Sequence, residues 1–152
     1  MNPLIFLDID GVLNSQNFRP RNPNGLQDWL DIRNVEVLNE LVRLSGADLV
    51  ISSSWRLNRT REELQATLAS AGCLGNVIDM TPDLISQNGE RWEEIQLYLV
   101  QRGIPLKSPG FVILDDEFNM DLLSRWHVRT SRLCGLVRTD IPIALGHLGD
   151  FE

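Results

Sequence analysis

The chain has 152 residues, 43% of them hydrophobic, and 21 acidic against 14 basic side chains give it a net charge of −7. At this length one domain with an ordinary core is expected, since about 68–70% of the unfolded surface is hidden on folding, and disorder or low-complexity structure is excluded. The acidity argues against a general nucleic-acid coat or a polybasic membrane binder, while leaving room for a local basic pocket.

Leu4-Ile5-Phe6-Leu7 is a wholly apolar run cut by Asp8, which predicts a strand buried on both faces rather than a secretion signal. Residues 14–23 carry Pro20, Pro23, Arg19 and Arg21 and read as a loop, the start of a short flap at about 14–33. Val35, Leu38, Leu41, Val42 and Ser45 then recur at helical spacing up to Gly46. Leu49-Val50-Ile51 is a second buried strand. Thr60 and Glu63 form a capping box for a helix striped by Leu64, Leu68 and Ala71 and stopped by Gly72. Val77-Ile78 is a weaker strand. Trp92, Ile95 and Leu99 stripe the next helix, which ends before Gly103 and Pro105. Phe111-Val112-Ile113-Leu114 is the third strong strand, and Val128 marks a weak last one.

This alternation predicts an α/β fold, a doubly wound three-layer sandwich of Rossmann type with a mainly parallel central sheet, in a single domain over residues 1–152. Cys73 and Cys134 have no metal-ligand spacing and read as small buried hydrophobes in a reducing compartment. No run approaches the ~20 apolar residues of a membrane span. A cytoplasmic protein without a membrane partner is expected.

Open α/β sheets bind ligands outside the carboxyl ends of their strands. Here the strong runs end in Asp8-Ile9-Asp10-Gly11, in Ser52-Ser53-Ser54 and in Asp115-Asp116. Carboxylates gathered in one crevice raise each other's pKa, and a hard divalent cation relieves the repulsion. Mg²⁺ suits one or two carboxylates plus a substrate phosphate. The pattern points to metal-assisted chemistry on a phosphorylated substrate.

With Val12 closing the first motif and Trp55-Arg56 the second, these pieces resemble the haloacid dehalogenase (HAD) superfamily of phosphotransferases, from the first strand to about Gly135-Leu136. The Ser-Ser-Trp-Arg stretch and Gly135-Leu136 are similar to the small HAD domains of Swiss-Army-knife RNA repair proteins. The resemblance implies a HAD-like catalytic domain whose cap is absent or reduced to the flap. It also implies a Mg²⁺-dependent phosphomonoester hydrolase working through an aspartyl-phosphate intermediate. On that resemblance Asp8 is the nucleophile, and Asp10 is the general acid and then the base. Asp8, the backbone carbonyl of Asp10, Asp115 and Asp116 hold the metal. The hydroxyl for the phosphoryl oxygens is Ser52, which ends the apolar run, or Ser53, which aligns better when Trp55 anchors the match. The family's basic residue is assigned to Arg91 at a helix start, with an arginine replacing the commoner lysine. Lys107, the sole lysine, is the other candidate. The alternative for Arg91 is a solvated helix arginine paired with Glu94.

Gly11, Asn14, Trp55 and Arg56 are assigned to substrate binding, each with a structural alternative. Asn14 and Gly11 shape a turn, Trp55 walls the pocket instead of stacking on a base, and Arg56 lies exposed at a helix start instead of holding a second phosphate. Arg59 and Arg61 read as surface residues. Glu117 is an outer-shell group or a cap, and His127 and His147 are structural or exposed. An uncapped site admits a bulky substrate, such as a nucleotide or a phosphorylated nucleic-acid end, without an extensive nucleic-acid surface. The competing reading is a phosphate-binding or phospho-receiver-like signalling domain without turnover. Receivers place the acidic pair on the first strand and a lone acceptor Asp later, the reverse of the order here.

Overall fold

A run with no polar side chain has to hide both faces, and Leu4–Leu7 does so as β1, the middle strand of a sheet. The computed structural model describes residues 2–106 and 110–149. Its other strands are β2 (Asp48–Ile51), β3 (Val77–Met80), β4 (Phe111–Asp115) and β5 (His127–Arg129). The helices are α1 (Ile32–Ser45), α2 (Arg61–Ser70), α3 (Arg91–Gln101) and α4 (Asp140–Leu148). The five strands pair in parallel in the order β3-β2-β1-β4-β5, so every carboxyl end lies along one edge. This is the doubly wound α/β sandwich that the alternation predicts.

Alternation along the strands divides the core in two. Ile5, Leu7, Leu49, Ile51, Val112 and Leu114 face one way and pack with Val35, Leu38 and Leu41 of α1, Leu64 and Leu68 of α2, and Ala144 and Leu148 of α4. Leu4, Phe6, Val50, Phe111 and Ile113 face the other way, against Ile95, Tyr98 and Leu99 of α3 and a 3-10 segment, Asp121–Trp126. Each fully buried side chain of this size contributes roughly 1.5–3 kcal/mol, enough to hold short strands that have little intrinsic stability.

Local signals place the ends. Gly46 caps α1 at φ 68°, where a residue with a Cβ is strained. Thr60 and Glu63 bond each other's backbone at the start of α2, as their spacing predicts. Residues 14–25 are irregular and lead through a 3-10 turn, Leu26–Trp29, to α1 at Ile32. Helix α4 has no strong signal in the sequence, because Pro142 and Gly146 lower its helical preference. Pro142 lies in the first turn, where no intrahelical donor is lost, and Ile141, Ala144 and Leu148 anchor the helix by burial. Cys73 is buried as expected, but Cys134 is exposed: it stands in a tight turn at the surface. Lys107 lies outside the described residues. No described helix is long and apolar enough to cross a membrane.

Candidate active site

The register Leu7↔Leu114 sets the ends of β1 and β4 side by side, and the Asp8 N–H donates to the Leu114 carbonyl at 3.0 Å. Asp8 and Asp115 are buried there, and Asp116 is half-buried beside them. One carboxylate oxygen from each lies within 4.8 Å of the other two. Burial, and then the charge of Asp115, pushes the Asp8 carboxyl up to about 8, against the pull of Arg91. Asp115 is also raised, by burial first, although Arg91 opposes it. Three hard oxygen donors gathered this closely fit a divalent cation, which favours the anionic forms of Asp8 and Asp115 that burial opposes.

Arg91 opens α3 and turns inward. Its Nη1 is 3.2 Å from Asp8 Oδ1 and 2.7 Å from Asp115 Oδ2, bridging the two carboxylates. The pair with Glu94 is longer, at 3.9 Å, so the solvated-helix alternative does not describe this side chain. Although burial pulls its pKa down, Asp115 and Asp8 hold the guanidinium above its ordinary value.

Asp10, two residues past Asp8, is exposed and stands outside the carboxylate cluster. Trp55 Nε1 donates to both of its oxygens at 3.2 Å, and Asn14 Nδ2 donates to Oδ1 at 3.0 Å. Trp55 is 9% exposed, too little to offer a face to a base; it walls the site and aims Asp10. Asn14 also accepts the Gly11 N–H and donates to the Trp29 carbonyl, so it shapes the turn. Gly11 serves that turn as well, with φ at +85° and its N–H already engaged. A Cβ there would lie 2.3 Å from Asp116 Oδ2.

Arg56 is buried, not exposed at a helix start. Its side chain is 3% exposed, and its five N–H donors meet the carbonyls of Thr81, Ser52, Ser53 and Pro82 and the Glu94 carboxylate. The Glu94 pair is 2.7 Å long, and Glu94 also accepts the Leu84 N–H at 2.9 Å. Arg56 thus joins the end of β2, the segment after β3 and helix α3. Ser52 donates its N–H to the Leu7 carbonyl, next to Asp8, and its buried hydroxyl has no partner among the described residues. The buried Ser53 hydroxyl accepts the Trp55 N–H and retains its own hydrogen.

Arg59 and Arg61 are half-buried and donate to the carbonyls of Trp55 and Val77. The Glu117 N–H donates to Asp115 Oδ1 while its side chain accepts from Phe118 N. His127 Nε2 lies 2.9 Å from the Asp115 carbonyl, and His147 is half-buried in α4, so both are structural.

Four residues of this site carry no motif. Thr130 Oγ1 donates to the Gly11 carbonyl at 2.7 Å, and Asn34 Nδ2 donates to the carbonyls of Cys134 and Leu136, whose N–H in turn meets the Val12 carbonyl. Gly135 permits the approach, since a Cβ there would lie 2.8 Å from the Val12 carbonyl. Arg132 Nε is 3.2 Å from Asp116 Oδ2. Glu94 is the fourth; its i+3 spacing from Arg91 is visible in the sequence, but its burial is not.

A family model, the HAD domain in Swiss Army Knife RNA repair proteins, matches residues 4–141. The span takes in all five strands and both acidic motifs, and the chain belongs to this family of HAD-type domains. No curated protein and no solved structure matches the chain.

Proposed function

We propose that this HAD-domain chain is a Mg²⁺-dependent phosphomonoester hydrolase that acts through an aspartyl-phosphate on Asp8, on a nucleotide or a phosphorylated nucleic-acid end. One observation carries the reading: two aspartates two residues apart have opposite surroundings. Asp8 is buried in a carboxylate cluster bridged by Arg91, whereas Asp10 is exposed and held by Trp55 and Asn14. Two acids with separated environments suit two different jobs, nucleophile and proton carrier.

Asp8, Asp115 and Asp116, with the Asp10 carbonyl, would hold Mg²⁺, which screens the negative charge of the nucleophile and of the phosphoryl group. An Asp8 carboxylate oxygen forms a bond to phosphorus as the ester P–O bond breaks. Asp10 gives its proton to the departing alkoxide. The same Asp10, now anionic, takes a proton from water, whose oxygen attacks phosphorus and releases inorganic phosphate and free Asp8. Arg91 and the hydroxyl of Ser52 or Ser53 stabilise the equatorial phosphoryl oxygens. The overall −7 charge favours gripping a nucleic acid at its end over coating it.

The test is turnover of nitrophenyl phosphate, nucleotides and 3′- or 5′-phosphorylated oligonucleotides, with Mg²⁺ and with chelator. Chelator and Asp8→Asn abolish turnover, and Asp10→Asn lowers it by about 10²–10⁴-fold. Wild-type rates in Asp8→Asn would refute the covalent route.

A further inference from the structure

A cavity of about 340 Å³ opens beside the active-site turn, lined by Asp10 and Asp116 together with Asn14, Gln16, Arg19 and Arg132. Two strips of chain form its outer part and are tied to each other. The Gln16 N–H donates to the Arg132 carbonyl at 2.8 Å, and the Asn17 N–H to the Leu133 carbonyl at 3.3 Å. Arg132 is 60% exposed and uses only Nε on a protein partner, Asp116, among the described residues. Arg19 is exposed, and its Nη1 donates to the carbonyls of Gln16 and Phe18, curling the flap. Its Nε and Nη2 have no partner among the described residues. Neither arginine packs in the core, yet both converge on one cavity in a chain of net charge −7.

We propose that this cavity is a subsite for a second phosphate, so that the substrate is a phosphomonoester whose leaving group carries another phosphate. The proposal rests on Asp8 and Asp10 working as described above. Asp10 must face the oxygen that it protonates, and Asp10 lines the cavity, so the leaving group enters it. What Arg19 and Arg132 meet is then the part of the leaving group beyond that oxygen. Planar guanidinium forks match phosphate oxygens, and a cavity of this size admits a sugar and a phosphate but no folded partner. A nucleoside bisphosphate and a polynucleotide end, where a phosphodiester follows the terminal phosphate, share this chemistry.

The experiment is calorimetric titration of the Asp8→Asn chain in Mg²⁺ with a nucleoside monophosphate, its 3′,5′-bisphosphate, and end-phosphorylated oligonucleotides of increasing length. The bisphosphate is expected to bind about tenfold or more tightly than the monophosphate. In Arg19→Gln/Arg132→Gln, placed in the same background, that ratio falls to about one by loss of the paired phosphate contacts. Affinity that keeps rising with oligonucleotide length assigns a polynucleotide end, and a plateau at the bisphosphate assigns a free nucleotide; both outcomes support the subsite. A ratio near one before the arginines are changed, or a ratio that survives the change, overturns it. Failure of the hydrolase reading is distinct: the wild-type chain would cleave no phosphomonoester while the bisphosphate preference stood.

Discussion

Replacing Arg56 by Met removes four donated hydrogen bonds at once and leaves Glu94, 4% exposed, without its 2.7 Å ion-pair partner. Breaking a buried ion pair by deleting one member costs about 3–5 kcal/mol, because the remaining charge stays desolvated. For a domain of this size each kcal/mol lowers the melting temperature by about 2–4 °C, so Arg56→Met is expected to melt roughly 6–20 °C early. The control is Arg43→Met, which removes an exposed pair with Glu40 at 2.7 Å; a pair open to solvent and salt contributes little to stability. Arg56→Lys keeps the charge but loses the fork, since an ammonium has three donors where the site has acceptors for five, and it should fall between the two. Urea denaturation reads the difference as a shifted midpoint at constant slope. If Arg56→Met matched the surface control in stability but lost affinity for phosphate ligands, the anchoring role would be wrong and a substrate contact would replace it.

Gly11→Ala forces a Cβ onto a residue at φ +85° and to within 2.3 Å of Asp116 Oδ2. About 1–2 kcal/mol of backbone strain is expected, and displacement of Asp116 should raise the Mg²⁺ concentration needed for thermal stabilisation; an unchanged Mg²⁺ midpoint would refute the contact. The pH dependence follows from Asp8, whose folded pKa of about 8 lies above its ordinary 3.8. The folded state then binds more protons than the unfolded state between those values, so metal-free stability falls as pH rises from about 4 to about 8. Denaturation midpoints in chelator, compared with Asp8→Asn, isolate this slope from the opposing one of His147, whose pKa burial holds low. Mg²⁺ should flatten it, and a wild-type stability that rose relative to Asp8→Asn across the window would contradict the assignment.

What the sequence reveals of this fold is what depends on neighbours in the chain. The apolar runs of β1, β2 and β4, the Thr60–Glu63 box and the Gly46 stop are local patterns, and each has its expected place. So are the acidic residues after the strands, because parallel pairing brings the ends of adjacent strands together without further information. Arg56 reads wrongly for the opposite reason. An arginine after three serines looks solvent-facing until Thr81, Pro82 and Glu94 arrive from distant segments to take its donors. Trp55 and Asn14 are similar: their partner, Asp10, is visible, but only folding turns indole and amide toward it. Thr130 has no signal in the sequence, since it reaches the first motif from more than a hundred residues away, and Arg132 meets Asp116 only through the loop that follows β5.

Charge bookkeeping joins these residues. Asp8, Asp115, Asp116 and Glu94 bring four negative charges to the site, and Arg91 and Arg56 bring two positive ones, an excess of −2 when all are ionised. The exposed Arg132 offsets little of this through solvent. Without a cation the excess is reduced by a proton on Asp8, which is also the group proposed to attack phosphorus. A divalent ion held by Asp8, Asp115 and Asp116 would supply the missing charge and favour the anionic form of Asp8. Glu94 would spoil the arrangement if Arg91 were its only partner, because a 3.9 Å contact would then compete for the guanidinium that bridges Asp8 and Asp115. Arg56, at 2.7 Å, neutralises Glu94 first. A buried arginine at position 56 therefore acts on the carboxylate cluster through Glu94, by leaving the charge of Arg91 to the two aspartates.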